Sequence, residues 1–141
     1  MLRERPLYTK RLADFLNTPL VKVITGVRRA GKSSIIKLLI NKLIADGVSK
    51  NRILLINMES LEFETIRDYR DLYNHVRNHL SPGERNYLFV DEIQNIHEWE
   101  RAVTSILTEE IADITISGSN AGLLSSDLAT RITGRYVEVP V

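Results

Sequence analysis

The sequence predicts an α/β domain built on a mostly parallel five-stranded sheet with helices on both faces. Three observations carry that expectation. Five short apolar runs alternate with segments of helical period, the pattern of successive βαβ crossovers. The first run, Lys22–Thr25, leads into Gly26-Val27-Arg28-Arg29-Ala30-Gly31-Lys32-Ser33, which fits G-x-x-x-x-G-K-[ST] and opens a helical segment. The third run passes directly into Asp91-Glu92, two acids at the carboxyl end of a buried strand, the edge where ligands of parallel sheets sit.

Taken in order, Leu7–Leu16 has the spacing of a short helix, closed by Asn17-Thr18-Pro19. Leu20–Thr25 is the first strand. Lys32–Ala45 is a core helix with a broad apolar face from Ile35, Ile36, Leu38, Leu39, Leu43 and Ile44, ended by Asp46-Gly47 with Gly47 at C′. Arg52–Met58 is a continuous apolar run, as in a strand buried on both faces. Ile66–Leu80 reads as a helix closed by Ser81-Pro82-Gly83, and Asn86–Val90 as the third strand. Glu98–Glu110 is a helix, Ala112–Ser117 the fourth strand, Leu123–Ile132 a helix, and Tyr136–Val139 a short fifth strand.

The 141 residues fit one domain, with 43% hydrophobic and 26% charged residues. Nineteen Lys and Arg against eighteen Asp and Glu leave a formal charge of +1, which gives no electrostatic case for a nucleic-acid or membrane partner. The sequence has no cysteine, so disulfides, Cys-based zinc sites and thiol catalysis are excluded within it. The start, Met1 to Pro6, carries charge without a following apolar run and is not a signal peptide. No segment approaches 18 consecutive apolar residues. A cytoplasmic location is the expectation.

The glycines of the loop let its backbone N–H groups approach an anion, and the helix that follows offers its N-terminus to the same charge. Residues Gly26 to Ser34, which include Val27, Arg28, Arg29 and Ala30, are the phosphate-binding candidates. Lys32 is placed to reach β- and γ-phosphates, and Ser33 to offer a hydroxyl to Mg²⁺. Asp91 stands where a strand-end carboxylate approaches that ion, directly or through a water. Glu92 is the group to polarise an attacking water. Ser117-Gly118-Ser119-Asn120 follows the fourth strand at the same edge.

The stretches Ile24–Ser34, Leu88–Gln94 and Ile116–Ala121, with Leu124-Ser125 and Thr133-Gly134-Arg135 beyond them, resemble AAA-type P-loop ATPases of bacteria and archaea. In that group the ATPase core is followed by a further C-terminal domain. The similarity runs from about Leu7 to the last residue. It implies a three-layer P-loop NTPase fold with strand order 5-1-4-3-2, ATP and Mg²⁺ as ligands, and adenine as the base. A Glu after the strand-end Asp is typical of the hydrolytic classes. The resemblance also implies a polar group near the γ-phosphate at the end of strand four. Ser117, Ser119 and Asn120 match, with Ser119 or Asn120 favoured over Ser117, and the alternative is a turn with a helix N-cap. Arg135 matches an arginine that acts on a neighbouring subunit's nucleotide, or else holds a structural salt bridge. Arg28 and Arg29 either contact phosphate or an effector, or are solvated.

By that resemblance residues 1–141 are one nucleotide-binding domain at the N-terminal end of a longer protein, and alone they hydrolyse ATP poorly. A protein or nucleic-acid partner is expected only through the region that follows, and a homo-oligomer through Arg135. Weaker signals carry bland readings: His75 and His79 as a solvated helix face, Trp99 as packing rather than a nucleobase platform, Glu59 as loop, and Tyr8 as core or adenine contact. The leading function is an ATPase. A nucleotide-gated binding or signalling module is the alternative, and a phosphotransferase is disfavoured by Glu92 and by the lack of an acceptor site.

Overall fold

A computed structural model describes residues 6–27, 30–81, 83–119, 123 and 134–141. Five strands are all parallel: β1 (Val21–Thr25), β2 (Ile53–Asn57), β3 (Tyr87–Asp91), β4 (Asp113–Gly118) and β5 (Tyr136–Pro140), in the order β2-β3-β4-β1-β5. Read from the other edge this is 5-1-4-3-2, as the resemblance implied. The helices are α1 (Pro6–Ala13), α2 (Lys32–Ala45), α3 (Tyr69–His79) and α4 (Trp99–Thr108). The helix expected over Leu123–Ile132 lies outside the described residues, apart from Leu123.

Alternation along each strand divides the core into two layers. Val21, Val23, Ile56, Leu88, Val90, Ile114 and Ile116 pack with Leu72 and Val76 of α3 and with Trp99, Val103 and Ile106 of α4. Ile24, Tyr87, Phe89 and Val139 point the other way, against Leu12 of α1 and Ile35, Ile36, Leu39 and Leu43 of α2. Both faces of the central strands are covered, so β2 and most of β3 read as continuous apolar runs, while β1 and β4 carry buried Lys22 and Thr115 on the α2 side.

Element ends follow local chemistry. Helix α2 begins and ends where the sequence predicts. Its C-terminus closes by Gly47 N–H to Ile44 O and Val48 N–H to Leu43 O, both 3.0 Å, the Schellman pair. Helix α3 starts three residues later than expected because Asp68 and Asp71 form a reciprocal capping box. Helix α1 stops at Ala13, short of Leu16. Asn17 is left-handed there, at φ 66°, and its amide donates to Asp113. No described helix is long and apolar enough to cross a membrane.

Candidate active site

Strand parity brings the polar groups together. In β3, Tyr87, Phe89 and Asp91 share the α2 face, so Asp91 ends the strand aimed at the start of α2. Ser117 of β4 shares that face and follows the Val90–Ile116 pair in register. Ser33, in the first turn of α2, donates to Asp91 Oδ2, and Ser117 donates to Asp91 Oδ1. Asp91 is 3% exposed, whereas Ser33 is exposed. An oxygen-only donor set with one member open to solvent fits a hard divalent cation.

Glu92 adopts a left-handed conformation, φ 58°, which costs an ordinary residue about 1–2 kcal/mol. Its amide donates to Ser117 Oγ at 3.0 Å. The turn folds the Glu92 side chain back over the same edge, where it is 4% exposed. One oxygen, Oε1, stands 3.6 Å from Lys32 Nζ. The other, Oε2, accepts from Gln94 Nε2 at 2.8 Å and from Ser119 Oγ at 2.9 Å. Burial pushes the Glu92 carboxyl up. Those two hydrogen bonds and the Lys32 charge outweigh burial and hold it below the usual value. A pocket of about 320 Å³ opens beside it, lined by Met58, Glu59, Glu92, Gln94, Asn95 and Ser119.

Lys32 is 2% exposed and donates to the carbonyls of Gly26 and Val27 at 2.8 Å each. Gly31 caps α2 at φ 91° without a side-chain bond to the first-turn N–H groups. An N-cap without a side chain leaves the first-turn N–H groups open to an outside acceptor. Val27 is 74% exposed at the rim.

Lys32, Ser33, Asp91, Glu92, Ser117 and Ser119 thus converge at one edge of the sheet. Arg28, Arg29 and Asn120 lie outside the described residues. Arg135 precedes β5 at the opposite edge, where its carbonyl accepts from Val21 N–H at 3.0 Å. A parallel five-residue strand separates it from the loop by roughly 16 Å, so it does not serve this chain's own site. It lines a cleft of about 710 Å³ with Asn17, Arg85, Asn86 and Asp113. Trp99 is buried in the α3–α4 layer, not at the site, and Tyr8 packs partly buried against the α2 layer. His75 and His79 stack at 4.1 Å, with His75 edge-on to Phe63. Among the described residues no group of three or more His, Cys, Asp or Glu could hold a metal ion. Gln94 was visible in the sequence only as part of Asp91-Glu92-Ile93-Gln94. Its bond to Glu92 depends on a backbone turn that no residue type announces.

The chain is similar to known proteins in sequence and in fold. A family model described as an AAA domain matches residues 18–141. An uncharacterized protein of Haemophilus influenzae is 38% identical over 138 residues, and an uncharacterized protein of Methanocaldococcus jannaschii is 33% identical over 121. These alignments cover 97% and 86% of this chain but 34% and 26% of the relatives, so the chain spans about a third or less of their length. The crystal structure of a DNA polymerase III gamma subunit-related protein from Thermotoga maritima matches with TM-score 0.64 at 16% identity, over 98% of this chain and 46% of that one. At that identity the likeness is one of fold. With the model covering nearly the whole chain, the chain belongs to the AAA domain family, as an AAA-type P-loop ATPase core.

Proposed function

We propose that the domain binds MgATP and hydrolyses it to ADP and phosphate, driving a conformational change in the rest of a longer protein. The observation that supports this most is the convergence of Lys32, Asp91 and Glu92 on the phosphate loop. Phosphoryl transfer to water needs charge neutralisation on the β- and γ-oxygens, an in-line water and a group to orient it. Lys32 and the N–H groups of the Gly26–Ser34 loop would take the phosphates. Ser33 and Asp91 would hold Mg²⁺, which supplies further neutralisation of phosphate charge. Glu92 is kept ionised, so it can accept the proton side of a water hydrogen bond and aim its oxygen at phosphorus. Ser119, which donates to Glu92, would lie toward the γ-phosphate, and Asn120 is the neighbouring candidate. Arg135, at the far edge, would act only on the nucleotide of a neighbouring copy.

In the full-length chain, Lys32→Ala is expected to abolish the thermal shift given by MgATP. Glu92→Gln is expected to keep the shift and lower phosphate release at least about 100-fold, the worth of a positioned base. A wild-type shift in Lys32→Ala would sink the phosphate-site reading. Unchanged turnover in Glu92→Gln would leave a nucleotide-gated module in place of an ATPase.

A further inference from the structure

The structure points to Gln94 as the residue that positions Glu92: we propose that its amide clamps one carboxylate oxygen so that the other is aimed at the phosphate loop. This rests on the ATPase reading of the same site and adds a residue to it.

The clamp is built from three features. Glu92 Oε2 has two donors, Gln94 Nε2 at 2.8 Å and Ser119 Oγ at 2.9 Å, which occupy both lone pairs of that oxygen. Oε1 is left facing Lys32 at 3.6 Å, the side from which a γ-phosphate and its water must come. The carboxylate therefore cannot spin without breaking two hydrogen bonds. The orientation of the amide is fixed by chemistry as well. Its reverse would put Oε1 of Gln94 against a carboxylate oxygen, two acceptors with no proton between them.

The second feature is a cost. With the amide turned this way, Gln94 Oε1 is buried and has no hydrogen-bond partner among the described residues. A stranded buried acceptor is expensive. That cost stands against the hydrogen bond that Gln94 gives the buried Glu92 carboxylate.

The third feature is a space reserved for it. Gly118, at the end of β4, lies so close that a Cβ there would fall 2.9 Å from Gln94 Oε1, and 2.5 and 2.8 Å from the methyls of Leu123. Gly118 thus leaves room for the Leu123 methyls and, beside them, for the Gln94 carbonyl. The left-handed turn at Glu92 brings residues two apart in sequence side by side. On this proposal the effect of Gln94 runs through Glu92.

The test uses the full-length chain and steady-state phosphate release with MgATP. Gln94→Met keeps the volume, removes the clamp and removes the stranded acceptor. Its melting temperature should stay near wild type, the donor lost by the buried Glu92 carboxylate being offset by removal of the stranded acceptor. Its kcat should fall about 10- to 100-fold, the loss expected when a reacting group drifts by about 1 Å. KM should stay within about two-fold, because ground-state contacts to ATP are untouched. In a Glu92→Gln background, Gln94→Met should cost nothing further, since a residue acting only through Glu92 has nothing left to position. Wild-type kcat in Gln94→Met would overturn the proposal, as would a raised KM with unchanged kcat or an undiminished extra loss in the Glu92→Gln background. Those results leave the ATPase reading standing if Glu92→Gln alone is inactive. Full turnover in Glu92→Gln would remove both.

Discussion

Asp113→Ala should destabilise this domain by about 3–5 kcal/mol, although it lies at the edge of the sheet away from the phosphate loop. Lys22, the second residue of β1, is 0% exposed. Its ammonium sits 2.5 Å from Asp113 Oδ1 and donates to the carbonyls of Leu20 and Phe15 at 3.0 and 3.4 Å. Burial lowers the Lys22 pKa and raises that of Asp113, each partly countered by the other's charge. Without the carboxylate, Lys22 keeps two neutral acceptors and must either stay charged in a dry layer or give up its proton. Neutralising it at pH 7 from an ordinary value of 10.5 costs about 5 kcal/mol, so that figure caps the penalty. The loss is a large share of the 5–15 kcal/mol typical of a domain. Asp113 also accepts from the Asn17 amide, whose side chain accepts from the Tyr87 hydroxyl, so the pair ties the end of α1 to β1, β3 and β4. The assay is urea unfolding at pH 7, followed by the single tryptophan, Trp99, which is 5% exposed. Lys22→Met with Asp113→Asn, which removes both charges and keeps an acceptor for Asn17, should recover at least about half of the loss. A cost below about 1 kcal/mol for Asp113→Ala would mean that water reaches the pair as it reaches a surface ion pair, and the reasoning would fail.

Gly31→Ala forces a methyl onto a backbone at φ 91°; about 1–2 kcal/mol of stability and part of the MgATP thermal shift should be lost, and an undiminished shift would contradict the capping geometry. Ser117→Ala strands the Glu92 N–H and one Asp91 lone pair inside the sheet edge, so urea unfolding should show a loss of about 1–3 kcal/mol even without nucleotide. Tyr73 donates to Glu109 Oε1 at 2.6 Å, and that bond leads the causes that raise the phenol above 10.0. A raised folded value means stabilisation that is intact below pH 10 and lost as pH climbs through the folded pKa. The stability difference between wild type and Tyr73→Phe should therefore hold steady to about pH 10 and shrink above it; a difference unchanged at higher pH would refute it.

Much of the fold was legible because its signals are local. The loop, the bounds of α2 and the Gly47 stop follow from residue types at fixed spacing, and the apolar runs marked all five strands to within a residue. Strand order came from resemblance, since periodicity alone does not say that β4 lies between β1 and β3. Asp91 and Glu92 were legible as strand-end acids. The grip of Ser117 on both was not, because it depends on register across two strands. Lys22 looked like an ordinary strand residue, since nothing beside it in sequence announces Asp113. Arg135 matched a motif, yet only topology shows which edge of the sheet it occupies.

The alternation that aims Asp91 at α2 has a further consequence. Asp91 holds its place because it sits an even number of residues from Tyr87 and Phe89, which anchor β3 on the α2 face, and Ser117 because it sits an odd number from Ile114 and Ile116, which anchor β4 on the other. Losing or gaining one codon within β3 would leave every site residue encoded, yet turn the carboxylate toward α3 and α4. Substitution scans would score this site residue by residue. Its tolerance to insertion and deletion is instead a property of the whole strand, and a frame-preserving indel at an apolar position should silence it as completely as deleting the aspartate.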